Sequence, residues 1–231
     1  MSLKYDLIKN KITIRMVPRK NGQKVHWNFP HLDEDTLHVV IGEMCAVFCV
    51  GTKNNSVVTY HTLEALDIMD YDFMSDMYEN AVKNNPVVMK SLAEIQSDKT
   101  EFESWMDITP LDVFALGNEE KDKSIYVVSN AEKQFGASAL VYPGFLKQAA
   151  KTIGGSFFVL PVSVHEIVLV DDKVAESADY LSTELSNMLF CKEVLKPDDC
   201  LSDVLYHYDA KADRFETSWH YAQRVALNHS K

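Results

Sequence analysis

Cysteine, glycine and proline are scarce in this chain, at 4, 8 and 7 of 231 residues. So little Gly and Pro excludes a collagen-like repeat and broad low-complexity disorder. The cysteines, at 45, 49, 191 and 200, make no Cys-x-x-Cys pair and no zinc-ribbon spacing, which suits a reducing cytoplasm. Long apolar runs are missing too. The uncharged run Thr152 to Val164 is 13 residues with two Gly and a Pro, short of the roughly 20 apolar residues of a membrane span. Met1 to Lys9 has no apolar core before a small-residue cleavage site, so no secretory signal is read there. Gly154-Gly155 precedes a strand-like run and no Lys-Ser or Lys-Thr follows, so there is no phosphate loop. The expectations are a cytoplasmic protein, off the membrane, with no cofactor.

What is present is material for a core and an uneven charge. Hydrophobic residues make up 46% of the chain, enough for one globular domain. The net charge of −11 is confined to one segment: His61 to Asp122 holds 15 acidic and 4 basic residues, and the rest balances at 19 of each. Lys4 to Lys24 carries seven basic residues against Asp6 alone. The division expected is a basic N-terminal hairpin over 1–30, then one α+β domain over 31–231 with an acidic helical segment at 61–122.

Lys11 to Val17 alternates with period two and reads as a strand, paired through a turn at Lys20–Gln23 with Val25 to Phe29. Leu37 to Val50 and Ser56 to Tyr60 read as two more strands. From Thr62 the period becomes helical. Phe73, Met77 and Ala81 form an apolar stripe opposite Asp72, Asp76 and Glu79, and Pro86 is expected to open another helix striped by Val88, Leu92 and Ile95. Ser124 to Ser129 reads as a strand and Phe145 to Ile153 as a helix. Ser156 to Leu160 and Val164 to Val170 are strands, either paired or continuous with a bend at Pro161. Asp171-Asp172 is expected to cap a helix from Val174 to Phe190, and 205–208 with 214–217 to close a hairpin. Strands in both halves with helices between them give α+β, with one or two mixed or antiparallel sheets.

The sharpest chemical candidate is Ser163 and His165, placed by alternation on one strand face with Glu166 on the other. There they meet Asn130 or Glu132 from a neighbouring strand end, and Ser163, His165 and Asn130 become the catalytic candidates. The competing reading gives the Ser and His to backbone groups left unpaired by Pro161, and it carries more weight. Ser163 lacks a Gly-x-Ser-x-Gly elbow. Cys45 and Cys49 sit in an apolar run where thiols are inert. His26, His31 and His38 match no common metal spacing, so no metal is expected. Met69, Met74, Met77 and Met89 read as core or partner-groove residues.

Val128-Ser-Asn130, Gly136-Ala137, Tyr142-Pro-Gly144, Leu160-Pro-x-Ser163-x-His165-Glu166 and Leu201-Ser-Asp203-x-x-Tyr206 together resemble an uncharacterised bacterial family. It is widespread in gut anaerobes, with an L-P-S-S-x-H-E core and an L-S-D-x-x-Y tail. The resemblance spans roughly 31–208, leaves 1–30 outside, and implies a fold group without an activity. Val162 replaces the first Ser of the family's pair and Ala131 a common Lys, so chemistry resting on either is in doubt.

The leading functional expectation is a non-enzymatic protein-binding or regulatory module. Its acidic face, with Asp72, Asp76 and Glu79, engages a basic protein, and family context and charge suggest conflict between host and mobile elements. The alternatives are a hydrolase of small molecules, esters or amides built on Ser163, His165 and Asn130, and an inhibitor that mimics nucleic acid to occupy a nucleic-acid-binding protein. Direct nucleic-acid binding by the acidic segment is disfavoured, since phosphate contacts need Lys and Arg.

Overall fold

The computed structural model describes residues 3–19, 35–51, 56–66, 68, 73–106, 109–110, 122–175, 177–191 and 195–229. These form an α+β fold with two antiparallel sheets of four and six strands. The small sheet has β1 (Ile12–Pro18) on one side of β3 (Met44–Val50), with β2 (His38–Ile41) and the short β4 (Ser56–Val57) on the other. The large sheet runs β10 (Arg214–Thr217), β9 (Tyr206–Asp209), β7 (Phe157–Leu160), β8 (Ile167–Asp171), β6 (Ile125–Asn130), β5 (Val87–Ser91).

The α-helices in chain order are α1 (Leu3–Asp6), α2 (Tyr60–Ala65), α3 (Phe73–Asn84), α4 (Leu92–Ser97), α5 (Lys99–Met106), α6 (Phe145–Ile153), α7 (Ala178–Phe190) and α8 (Ser218–His229). A 3-10 turn covers Gly136–Val141.

The large sheet is buried on both faces, which explains why β7 and β8 read as continuous apolar runs. Val128, Phe157, Val159, Ile167 and Leu169 face a core shared with Ile12, Ile14, Met16 and Phe48 of the small sheet and with Phe73, Met77 and Ala81 of α3. Val127, Phe158, Leu160, Val168 and Val170 face a second core with Leu92, Ile95, Trp105, Leu181, Leu185 and Met188 from α4, α5 and α7. A long-range hydrogen bond also ties the two sheets together. The Tyr206 hydroxyl accepts from the Glu43 amide at 2.8 Å, and a Cβ on Gly42, at φ +59°, would lie 2.4 Å from that same oxygen.

Several expectations change. Leu37 to Val50 is a hairpin folded at Gly42-Glu43, where the left-handed backbone needs Gly. Tyr60 begins α2 instead of extending a strand, because Thr59 and Thr62 form a capping box. Val87 to Ser91 is a strand paired with β6, and the helix waits for the Ser91–Glu94 capping box. The helix expected from Val174 starts at Ala178, capped by Ser177 in place of Asp171-Asp172. The β1 strand forms as expected, but its partner among the described residues is β3. Residues 25–29 lie outside them. β7 and β8 are paired neighbours, and α8 follows the closing hairpin without having been expected.

Candidate functional site

Pro161 has no N–H to give a ladder, and the chain leaves β7 there. Ser163 N donates to Glu166 O at 3.2 Å, closing a turn before β8 begins at Ile167. The strand expected from Val164 is therefore a turn over its first residues, and alternation cannot assign the faces of His165 and Glu166. Ser163 Oγ accepts from the His165 amide at 2.9 Å. The His165 carbonyl accepts from Gly136 N at 2.8 Å and from Ser129 Oγ at 2.7 Å. Gly136 allows this approach, since a Cβ there would come 2.3 Å from Ser129 Cα.

The His165 ring is engaged at both nitrogens. Nδ1 accepts from the Phe135 amide at 3.2 Å, which leaves the proton on Nε2, 3.4 Å from Asp199 Oδ1. Burial holds the imidazole below its ordinary pKa, against the opposing pull of Asp199. Asn130 points elsewhere. Its Oδ1 accepts from Gln134 N at 2.8 Å, and its Nδ2 donates to Asn85 Oδ1. Tyr142 Oη donates to Asn85 O at 3.0 Å, and Ser138 Oγ is 3.1 Å from Tyr142 Oη. Ser163 and His165 thus share one turn while Asn130 is turned to Asn85 and Gln134, and among the described residues no hydrogen bond joins Ser163 Oγ or the Asn130 amide to the imidazole.

Beside Asn85 and Asn130 lies a cleft of about 380 Å³, between β1, the C-terminal end of α3 and the loop after β6. Its floor includes Thr13, Ile14, Arg15, Asn85 and Asn130; Asn84, Glu132, Gln134 and Phe135 complete the lining. Asn84 is fixed by donating to the carbonyls of Lys9 and Ile12 at 2.9 and 2.8 Å. Phe135 is left-handed at φ +61°, a strained conformation for a bulky residue. Its amide is held by His165, and its ring lies 3.8 Å from the Arg15 guanidinium carbon. Sequence reasoning reached Asn130 and Glu132 but missed Arg15, Asn84, Asn85 and Gln134. The Asn84-Asn85-Pro86 run that ends α3 was the available signal.

Glu166 is fully buried on the far side of the turn, with no well-formed hydrogen bond to either carboxylate oxygen. Burial pushes its pKa up to about 8, although the hydroxyls of Ser163 and Thr109 oppose the shift. Cys45 and Cys49 are buried, and burial raises the Cys49 thiol to about 11, which makes it a poor nucleophile.

Several of the described acids of the 61–122 segment have partners within the fold. Asp76 Oδ2 accepts from Asn80 at 2.9 Å and stands beside the Tyr5 hydroxyl. Glu79 pairs with Lys83 at 3.7 Å and Glu101 with Lys90 at 2.6 Å. Glu94 closes the α4 capping box, and Asp98 accepts from the Glu101 amide. Asp72 lies outside the described residues, as do His26 and His31, and His38 Nδ1 lies 2.8 Å from the Thr36 carbonyl.

A two-sheet α+β domain with a polar cleft at the sheet junction is thus the class that fold and site define. A family described as one of unknown function, DUF5688, matches residues 1–210, and the chain belongs to it. The match begins at residue 1, whereas the resemblance read from the sequence began near 31. No curated protein and no solved structure matches significantly. Among the described residues no helix is long and apolar enough to cross a membrane.

Proposed function

We propose that the chain is a non-enzymatic binding domain that holds a small polar molecule in the cleft beside β1. The observation that carries this reading is Phe135, a bulky residue kept in the left-handed region at the cleft wall. Strain of this kind persists only where neighbours over-determine it, and it gathers at ligand clamps. The cleft volume falls within the roughly 300–1,000 Å³ of small-molecule sites. The Asn85 and Asn130 side-chain amides, already fixed by their hydrogen bonds, would lose little entropy on binding. The ligand class that fits is a molecule with amide or hydroxyl groups, able to exchange hydrogen bonds with the exposed Gln134 and Glu132.

Hydrolysis at Ser163 is supported less, because both His165 nitrogens are occupied and a general base needs one free. Docking of a basic protein on Asp72, Asp76 and Glu79 is supported less as well, because Asp76 serves Tyr5 and Asn80.

The test is a thermal-shift and ligand-observed NMR screen with amino acids, simple amides, nucleosides and monosaccharides. One class should raise the melting midpoint, and Glu132→Ala with Gln134→Ala should remove that shift while leaving the unliganded midpoint in place. A binder that keeps its shift in the double variant would overturn the assignment.

A further inference from the structure

His207 on β9 is fully buried, and α8 is the lid that buries it. The Tyr221 ring of α8 stacks on the imidazole with centroids 3.6 Å apart, while Phe158 of β7 meets it edge-on at 4.9 Å. Nε2 is 3.4 Å from Asp172 Oδ2, just beyond β8, and Nδ1 is buried with no hydrogen-bond partner. The remaining charges facing this pocket are Asp209 of β9, Glu216 of β10 and Arg224 of α8. Arg224 takes both carboxylates, donating to Asp209 at 2.8 Å and to Glu216 at 2.6 Å. Arg214 also approaches Glu216, at 3.3 Å. Among the described residues Asp172 is the carboxylate in direct contact with the imidazole, while Asp209 and Glu216 act on it from behind their Arg224 pairs.

We propose that α8 is a pH-dependent latch, closed over a neutral His207 and released when that imidazole is protonated. A proton on Nδ1 would create a buried donor without an acceptor and a buried cation whose nearest counter-charge, Asp172, stands 3.4 Å away on the other ring nitrogen. Burial lowers the His207 pKa, and Asp172 opposes it. Because the closed-state pKa is depressed for a base, closure is favoured at neutral pH and weakens as pH falls through the histidine range. Trp219 and Leu227 of α8 already face solvent, so Tyr221 and the Arg224 pairs hold the helix to the sheet. The inference is independent of the cleft.

Hydrogen–deuterium exchange on the full chain tests it, read as protection factors at pH 7.5 and 5.5. Protection of α8 amides should fall several-fold at the lower pH while amides of β3 and β7 keep theirs. His207→Phe keeps an aromatic ring at the stack and cannot titrate, so α8 should stay protected at both pH values. Tyr221→Ala should leave α8 open at both. His220 sits in the first turn of α8, with Nδ1 2.9 Å from Thr217 Oγ1, and His220→Ala must preserve the response. If His207→Phe does not fold, an NMR titration of the wild-type imidazole replaces it, and its midpoint must coincide with the loss of α8 protection. Unchanged α8 protection between the two pH values, a response abolished by His220→Ala, or non-coincident midpoints would each overturn the latch.

Discussion

Glu166 makes the interior pay attention to pH in the opposite direction from most carboxylates. Its folded pKa of about 8 lies above the ordinary value of 4.5. Between those values the folded chain holds a proton that the unfolded chain has released, so stability falls as pH rises, by up to about 1.4 kcal/mol per unit. Glu166→Gln removes this dependence. The variant should be more stable than wild type at pH 8, with the gap closing toward pH 5, as measured by urea unfolding across that range. Gly136 is the steric counterpart. A Cβ there meets backbone at Ser129 and the His165 carbonyl at 2.7 Å, so Gly136→Ala should cost about 3 kcal/mol by the same measurement.

At the scale of elements, the acidic residues of α3 divide sharply. Asp76→Ala frees Asn80 and the buried Tyr5 hydroxyl from their shared partner and should cost about 1–2 kcal/mol. Glu79→Ala removes an exposed pair and should stay within about 0.5 kcal/mol. Chemical denaturation of the two single variants decides whether α3 spends its acids on packing or on its surface. This division was not legible in the sequence, because a helical wheel places Asp76 and Glu79 on one polar side and cannot show that Tyr5, from the distant helix α1, reaches Asp76. The α3 stripe itself was legible, since Phe73, Met77 and Ala81 recur at 3.6-residue spacing and all are buried. Val87 to Ser91 was misread because Val88, Leu92 and Ile95 also fit a helical period, and pairing with β6 overrides that fit. Ser163 and His165 were legible as neighbours, and they sit in one turn joined by the His165 amide and Ser163 Oγ, whereas Asn130 bonds Asn85 and Gln134 instead. Their roles were not legible, because hydrogen bonds to Phe135, Asn85 and Gln134 decide them.

The whole molecule is organised around a sheet whose central strands β6, β7 and β8 are buried on both faces. Phe157 is fully buried in the middle of it, against Tyr208 at 5.3 Å, and Phe157→Ala should cost about 3–5 kcal/mol as an unfilled cavity. An unchanged melting midpoint would remove β7 from the load-sharing centre. Both cores rest on the same strands, so probes in either should report one unfolding transition.

The sheet order also carries a kinetic message. β7 and β8 stand at the centre of the large sheet, yet they are joined by a short turn, so their pairing closes a small loop. The Glu43–Tyr206 pin spans 163 residues, one of the longest closures in the chain and among the slowest to nucleate. Folding should begin at the centre and end at the junction. Val159→Ala should therefore slow refolding, whereas Tyr206→Phe should chiefly speed unfolding, and stopped-flow chevrons of the two variants would show that order of events.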